Sequence, residues 1–135
     1  MRLTKKEIIE LVRQYLTARQ EIVFAYLFGS VVDSDAFKDV DLGVYVGGGI
    51  SDGFGYAFAM SGELGRMLEC HVDVILMNTA PDHLIHSISK GKVILNRDDD
   101  ARVSFITASW SRYFDIQVKR RDYLRAIAAG SSSHE

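Results

Sequence analysis

Ala25-Tyr26-Leu27-Phe28-Gly29-Ser30, followed by Asp39-Val40-Asp41-Leu42-Gly43-Val44-Tyr45-Val46, decides how the rest of the chain is read. An apolar strand ends in Gly-Ser, a short loop follows, and a second strand opens with two carboxylates. Successive side chains on a strand point to opposite faces. Asp39 and Asp41 therefore share one face, and Val40, Leu42, Val44 and Val46 share the other, which is apolar enough to be a core face. Carboxylates side by side repel, and burying them unpaired is costly. A hard divalent cation such as Mg2+, which takes oxygen ligands and keeps water and substrate phosphate, is the natural ion between them. Alone, Asp-x-Asp on a half-exposed strand usually marks a solvated face. The Gly-Ser changes the balance. Glycine at a strand end lets the backbone turn sharply and approach a ligand, and N–H groups and a hydroxyl just after it can hold phosphate oxygens. Gly29-Ser30 beside a carboxylate pair points to a nucleotide, with phosphates on one side and metal on the other.

The 135 residues, 47% of them hydrophobic, are enough for one domain with one core. A net charge of −2 and a pI near 6.1 argue against a general nucleic-acid binder, and no direct DNA binding is expected. No apolar run reads as a signal peptide or a membrane span. Cys70 is the only cysteine, so no intrachain disulfide forms. The expected location is the cytoplasm, where nucleotides and Mg2+ are available. The expected domain covers residues 1–129, with a disordered tail at 130–135.

Working outward, Thr4-Lys5-Lys6-Glu7 fits a capping box, with Leu3 and Ile8 placed for a hydrophobic staple. Ile8, Val12, Tyr15 and Leu16 extend a helix to about Arg19. Ile22–Phe28 is a buried strand by its β-branched and aromatic content. Residues 31–38 read as a polar loop, Asp39–Val46 as the second strand, and Gly47-Gly48-Gly49 as a turn matching no phosphate-loop or dinucleotide fingerprint. Asp52 caps a helix with Phe54, Ala57, Phe58, Leu64 and Leu68 on its apolar side, weakened by Gly62 and Gly65. Residues 71–77 form the third strand, in which Asp73 shares a face with Ile75 and Met77. If that strand lies beside the second, Asp73 joins Asp39 and Asp41; otherwise it is a solvent-facing acid. A helix with Pro81 in its first turn ends near Gly91, placed for a left-handed C-cap. Residues 93–95 make a short strand. Asp98, Asp99 and Asp100 open a last helix with Val103, Ile106, Trp110, Tyr113 and Phe114 on its apolar side, extending or bending through Tyr123, Leu124 and Ile127.

Three lesser features have plain readings. His83 and His86 stand three apart on a helix with His71 upstream, but zinc needs a third and usually a fourth ligand. Lys119, Arg120, Arg121 and Arg125 form a basic cluster, most often a solvated helix face, that could touch RNA or an acidic partner. Tyr113, Phe114 and Tyr123 read as core or subunit interface rather than a base-stacking platform.

Gly29-Ser30, then Asp39-Val40-Asp41, then Asp73 on a later strand resembles the pattern of the DNA polymerase β-like nucleotidyltransferase superfamily. Val72-Asp73-Val74-Ile75-Leu76-Met77-Asn78-Thr79-Ala80-Pro81, Gly91-Lys92-Val93-Ile94-Leu95-Asn96-Arg97-Asp98 and the aromatic final helix with Tyr113-Phe114-Asp115 are similar to minimal nucleotidyltransferases, the MntA-type antitoxins that pair with HEPN-domain ribonuclease toxins. The resemblance covers most of residues 22–125. The chain departs from it after Gly-Ser, where Val31-Val32-Asp33 replaces a basic residue and a further glycine, and at Lys38, where serine is common.

The resemblance implies an α+β fold, a small mixed β-sheet with helices packed on one face. It implies AMP transfer from ATP to a tyrosine of a HEPN toxin, within a type VII toxin–antitoxin hetero-oligomer. Asp39 and Asp41 would hold Mg2+ bridging the phosphates, Asp73 would bind a second ion or draw the acceptor's proton, and Gly29 and Ser30 would position the terminal phosphates. Three other readings stand beside it. One is a non-catalytic antitoxin that neutralises its toxin by binding. Another is an antibiotic-modifying nucleotidyltransferase, which usually carries a further helical domain. The third is a nucleotide-binding regulatory module.

Overall fold

The structure, a computed structural model, describes residues 3–132. Helix α1 (Lys5–Thr17) begins with the expected capping box: the Thr4 hydroxyl accepts from the Glu7 N–H and the Glu7 carboxylate accepts from the Thr4 N–H. Its buried face is Ile8, Val12, Tyr15 and Leu16, each apolar side chain contributing about 1.5–3 kcal/mol by leaving water. Strands β1 (Ile22–Phe28) and β2 (Asp39–Val46) have the bounds expected of them. The segment between is not all loop, since Ser30–Asp33 winds into a single turn of helix, α2, directly after Gly29. Asp52 caps α3 (Gly53–Leu68) by accepting from the Gly55 N–H.

Strand β3 spans His71–Leu76 and stops one residue short of Met77, where a 3-10 turn, Met77–Thr79, begins. The reason is Asn78. Its side-chain amide accepts from the Val46 N–H at 2.9 Å and donates to the Val46 carbonyl at 2.7 Å, taking the place of a strand partner. Helix α4 (Asp82–Ser89) has Pro81 as its N-cap, β4 spans Lys92–Asn96, and α5 (Asp99–Ser132) is a single helix of 34 residues. It runs three residues into the segment expected to be a disordered tail; residues 133–135 lie outside the described residues. Gly91 is not a left-handed cap. Lys90 closes α4 in right-handed geometry, and Gly91 is needed because a Cβ there would stand 2.1 Å from the Leu27 carbonyl oxygen.

The four strands lie in the order β3-β2-β1-β4. β1 pairs antiparallel with β2 and β4, and β2 pairs parallel with β3, so the sheet is mixed as expected. The helices, however, are not confined to one face. Helices α1 and α3 pack on the face of Ala25, Leu27, Val40, Leu42, Val44, Val72 and Val74. Helices α4 and α5 cover part of the other, where Ile85, Ile88, Phe105 and Ile106 meet Phe24, Tyr26, Tyr45, Ile75 and Met77. The departure has a physical cause, because Phe24, Tyr45 and Ile75 make that half of the second face apolar too. The Phe24 and Tyr45 rings stack at 4.7 Å, and Phe105 of α5 closes over Tyr45 at 4.8 Å.

Candidate active site

The second face of the sheet is divided along its length. One end is the aromatic patch under α4 and α5. The other, where β1 finishes and β2 and β3 begin, carries the carboxylates. The border is Gly43, one step along the same face from Asp41. A Cβ at Gly43 would meet Ile88 Cγ2 at 2.9 Å and Met77 Sδ at 3.2 Å, so the missing side chain is what lets α4 press onto β2. Tyr26, opposite Gly43 on β1, fills the space beside it, and its hydroxyl accepts from Arg102 of α5 at 2.8 Å.

The parallel register sets Asp41 directly beside Asp73 and Asp39 directly beside His71. Neighbouring strands are about 4.8 Å apart, so register alone brings Asp73 to the Asp39–Asp41 pair. Phe28, the last residue of β1, stands on the other side of Asp41. Asp39 and Asp73 are exposed, whereas Asp41 is half-buried. Its burial, with the negative charges of Asp73 and Asp39 adding to it, holds the Asp41 carboxyl above the ordinary aspartate value of 3.8; His71 pulls weakly the other way. Among the described residues, no Lys or Arg forms an ion pair with any of the three.

Gly29 joins the site through its backbone. It lies at φ +76°, ψ −155°, a conformation essentially reserved for glycine, and a Cβ on it would stand 2.3 Å from Asp41 Oδ2. The bare turn thus lies against the carboxylate, and the exposed Ser30 begins α2 immediately after it.

The three carboxylates do not form a closed cage. Among the described residues, no three His, Cys, Asp or Glu side chains stand close enough together to hold a metal ion. The donor set nonetheless suits Mg2+, which binds through one or two carboxylates and completes its shell with water and phosphate oxygens.

His71 is the residue that sequence reasoning passes over. Its chemistry suggests only a zinc ligand, although its parity with Asp73 puts it on the carboxylate face. Gly43 is also legible, as a lone glycine inside a strand pattern. His86 belongs elsewhere: it meets the Trp110 ring at a tilt at 4.2 Å and stacks on Tyr113 at 4.5 Å between α4 and α5. Trp110 also donates to the Ser89 hydroxyl at 2.8 Å, so it and Tyr113 complete this domain, while Phe114 stays exposed.

A search of curated proteins finds no match. Among solved structures, the chain is similar to one in the complex of tri-AMPylated Shewanella oneidensis HEPN toxin with MNT antitoxin. The TM-score is 0.71 at 17% identity, covering 92% of this chain and 98% of that one. It is also similar to a chain of a toxin–antitoxin structure with AMP-PNP, with TM-score 0.69, 21% identity, and 93% and 99% of the two chains covered. A third is a chain of the MntA–HepT toxin–antitoxin structure, with TM-score 0.65, 19% identity, and 92% and 96% covered. These likenesses establish the fold. Residues 10–100, two thirds of the chain and all of β1, β2 and β3, match the family described as "Polymerase beta, Nucleotidyltransferase". With that match over the segment that carries Gly29, Asp39, Asp41 and Asp73, the chain belongs to the polymerase β nucleotidyltransferase family.

Proposed function

We propose that this protein is an Mg2+-dependent antitoxin that transfers AMP from ATP to a tyrosine of a partner HEPN ribonuclease toxin. The observation that carries the reading is the register of β2 and β3, which aligns Asp73 with Asp41 beside the Gly29 turn. The kinship of the fold with antitoxin chains, one in complex with an AMPylated HEPN toxin and one in a structure with AMP-PNP, supports the choice of partner and nucleotide.

Asp39 and Asp41 are the residues that would hold Mg2+. When bound, the ion supplies charge neutralisation of the nucleotide phosphates and of the departing pyrophosphate. The open backbone at Gly29 and the Ser30 hydroxyl hold the terminal phosphates and so fix the leaving group's direction. The tyrosine hydroxyl attacks the α-phosphorus on the opposite side. The new P–O bond forms as the bond to pyrophosphate breaks, and the hydroxyl proton leaves as it does. Asp73 takes that proton or shares in holding a second ion. Most of the rate gain is alignment and charge stabilisation.

A second reading has one observation in its favour, the absence of a closed three-ligand cluster among the described residues. In it the protein binds nucleotide and neutralises the toxin by contact alone. Intact-mass analysis of the HEPN protein after incubation with this chain, Mg2+ and each NTP separates the two. Stepwise addition of AMP, lost in chelator, is the expected result. An unchanged partner mass in a stable complex would select the non-catalytic antitoxin. An unchanged mass with no complex would reject both and leave a nucleotidyltransferase of another acceptor.

A further inference from the structure

Helix α5 is longer than the domain it closes. Its first half is anchored. Phe105 and Ile106 pack on the sheet's aromatic patch, and the buried Ser109 donates to Asp82 Oδ1 at 2.7 Å. Arg112 holds the same carboxylate through two bonds of 2.9 and 3.0 Å, and Tyr113 stacks on His86. From Ile106 the packed positions recur at alternating steps of three and four, at Ser109 and Tyr113. The same spacing continues without a break through Ile116, Arg120, Tyr123 and Ile127. That is the narrow seam of a helix that pairs with another helix. Yet Ile116 is 57% exposed, Tyr123 66% and Ile127 49%, with Leu124 beside them at 53%.

The charge around this bare seam limits what covers it. Residues 115–129 carry Lys119, Arg120, Arg121 and Arg125 against Asp115 and Asp122, an excess of positive charge in a chain that is negative overall. Arg121 lies 3.8 Å from Asp122, while Lys119, Arg120 and Arg125 form no ion pair among the described residues. Arg120 sits inside the seam, between Ile116 and Tyr123. A second copy of the helix paired parallel and in register would bring Arg120 against Arg120, which is unfavourable, and an antiparallel copy centred on the seam would offer Arg120 no carboxylate from the seam positions. A helix with apolar residues on its own seam and a carboxylate facing Arg120 satisfies both the apolar and the charged positions.

We infer that the distal half of α5 is a docking rail for an amphipathic, acid-bearing helix of the HEPN partner, read through Ile116, Arg120, Tyr123 and Ile127. The inference rests on the antitoxin reading above. The rail leaves out Trp110 and Tyr113, which the domain uses itself.

The test is co-expression, co-purification and titration with a cognate HEPN protein, using wild type, the triple variant Ile116→Gln/Tyr123→Gln/Ile127→Gln, and Arg120→Glu. Glutamine keeps the helix former and removes the apolar seam. Binding at least about tenfold weaker in the triple variant and in Arg120→Glu, with an unchanged melting temperature and an unchanged shift on adding ATP and Mg2+, is the expected outcome. Equal binding by wild type and both variants overturns the rail while leaving the antitoxin reading intact. No complex with wild type overturns both. A homodimer of the wild type that the triple variant abolishes would assign the seam to a second copy instead.

Discussion

Asp41 stands between Phe28 and Asp73 with its carboxyl held above 3.8, first by burial and then by its two acidic neighbours. A group whose folded value is raised contributes stability below its unfolded value and loses that contribution as pH rises through the folded one. At neutral pH the charged Asp41 is therefore a net cost to the metal-free fold. Asp41→Asn is expected to melt at the same or a higher temperature than wild type in chelator at pH 7, with the gap closing as pH falls towards 3.8. The same variant should be nearly inactive in AMP transfer, and its melting temperature should rise much less than that of wild type when ATP and Mg2+ are added. A lower melting temperature in chelator would show that Asp41 is held by contacts rather than strained by its neighbours. Gly29 is predicted to be the more demanding neighbour of Ser30. Gly29→Ala places a methyl group 2.3 Å from Asp41 Oδ2 in a backbone region that alanine avoids, and should cost about 1–3 kcal/mol in urea unfolding. Ser30→Ala should leave stability unchanged and slow transfer less than loss of a carboxylate, because the backbone donors remain. Equal unfolding of the two variants would mean the turn tolerates a side chain.

Among the elements, the clamp between α4 and α5 is the most sharply testable. Asp82 accepts from Arg112 and from the fully buried Ser109, and these bonds, Arg112's first, hold its carboxyl below 3.8. A depressed value gives stability that is present above the unfolded value and lost as pH falls through the folded one. Asp82→Ala also strands the Ser109 hydroxyl, so a loss of about 1–3 kcal/mol is expected at neutral pH, shrinking in acid. A melting curve that ignores the substitution at pH 7 would mean that α5 is held by Phe105 and Ile106 alone. Much of this architecture is legible from local pattern. The alternation in Asp39–Val46 defines both faces of β2, and Thr4 and Asp52 announce their helices through side chains that bond nearby backbone. What is not legible depends on contacts remote in sequence. Gly91 has the look of a cap, because glycine after a helix usually is one; its real constraint is the Leu27 carbonyl on another strand. The end of β3 at Leu76 depends on Asn78 reaching Val46. The placement of α4 and α5 over Tyr45 and Phe24 needs the sheet order, which no local pattern supplies. Asp73 is the intermediate case, since its own face is plain but its alignment with Asp41 requires the parallel pairing.

At the scale of the whole molecule, the docking rail and the chemistry proposed above use different residues, the distal half of α5 and the carboxylates at the start of β2 and β3. Removing Mg2+ with chelator, or introducing Asp41→Asn, is therefore expected to stop AMP transfer while leaving the complex with the HEPN partner assembled on a sizing column. Dissociation under either condition would mean that nucleotide and metal are part of the interface. Among the described residues no helix is long and apolar enough to cross a membrane, so α5 has no bilayer role as a span. The parallel pairing of β2 with β3 has one further consequence, for clearance. Two parallel strands cannot be joined by a hairpin; the chain has to leave the sheet and come back. Here it returns through α3, whose Met60, Leu64 and Leu68 lie against the Val72 and Val74 face, behind the carboxylates. The bulkiest connection in the fold is thereby parked on the far side. The carboxylate face is left clear of α3, with Asp39 and Asp73 exposed on it, so the chemistry proposed above suits an acceptor presented on the surface of another folded protein rather than only a small molecule threaded into a cleft.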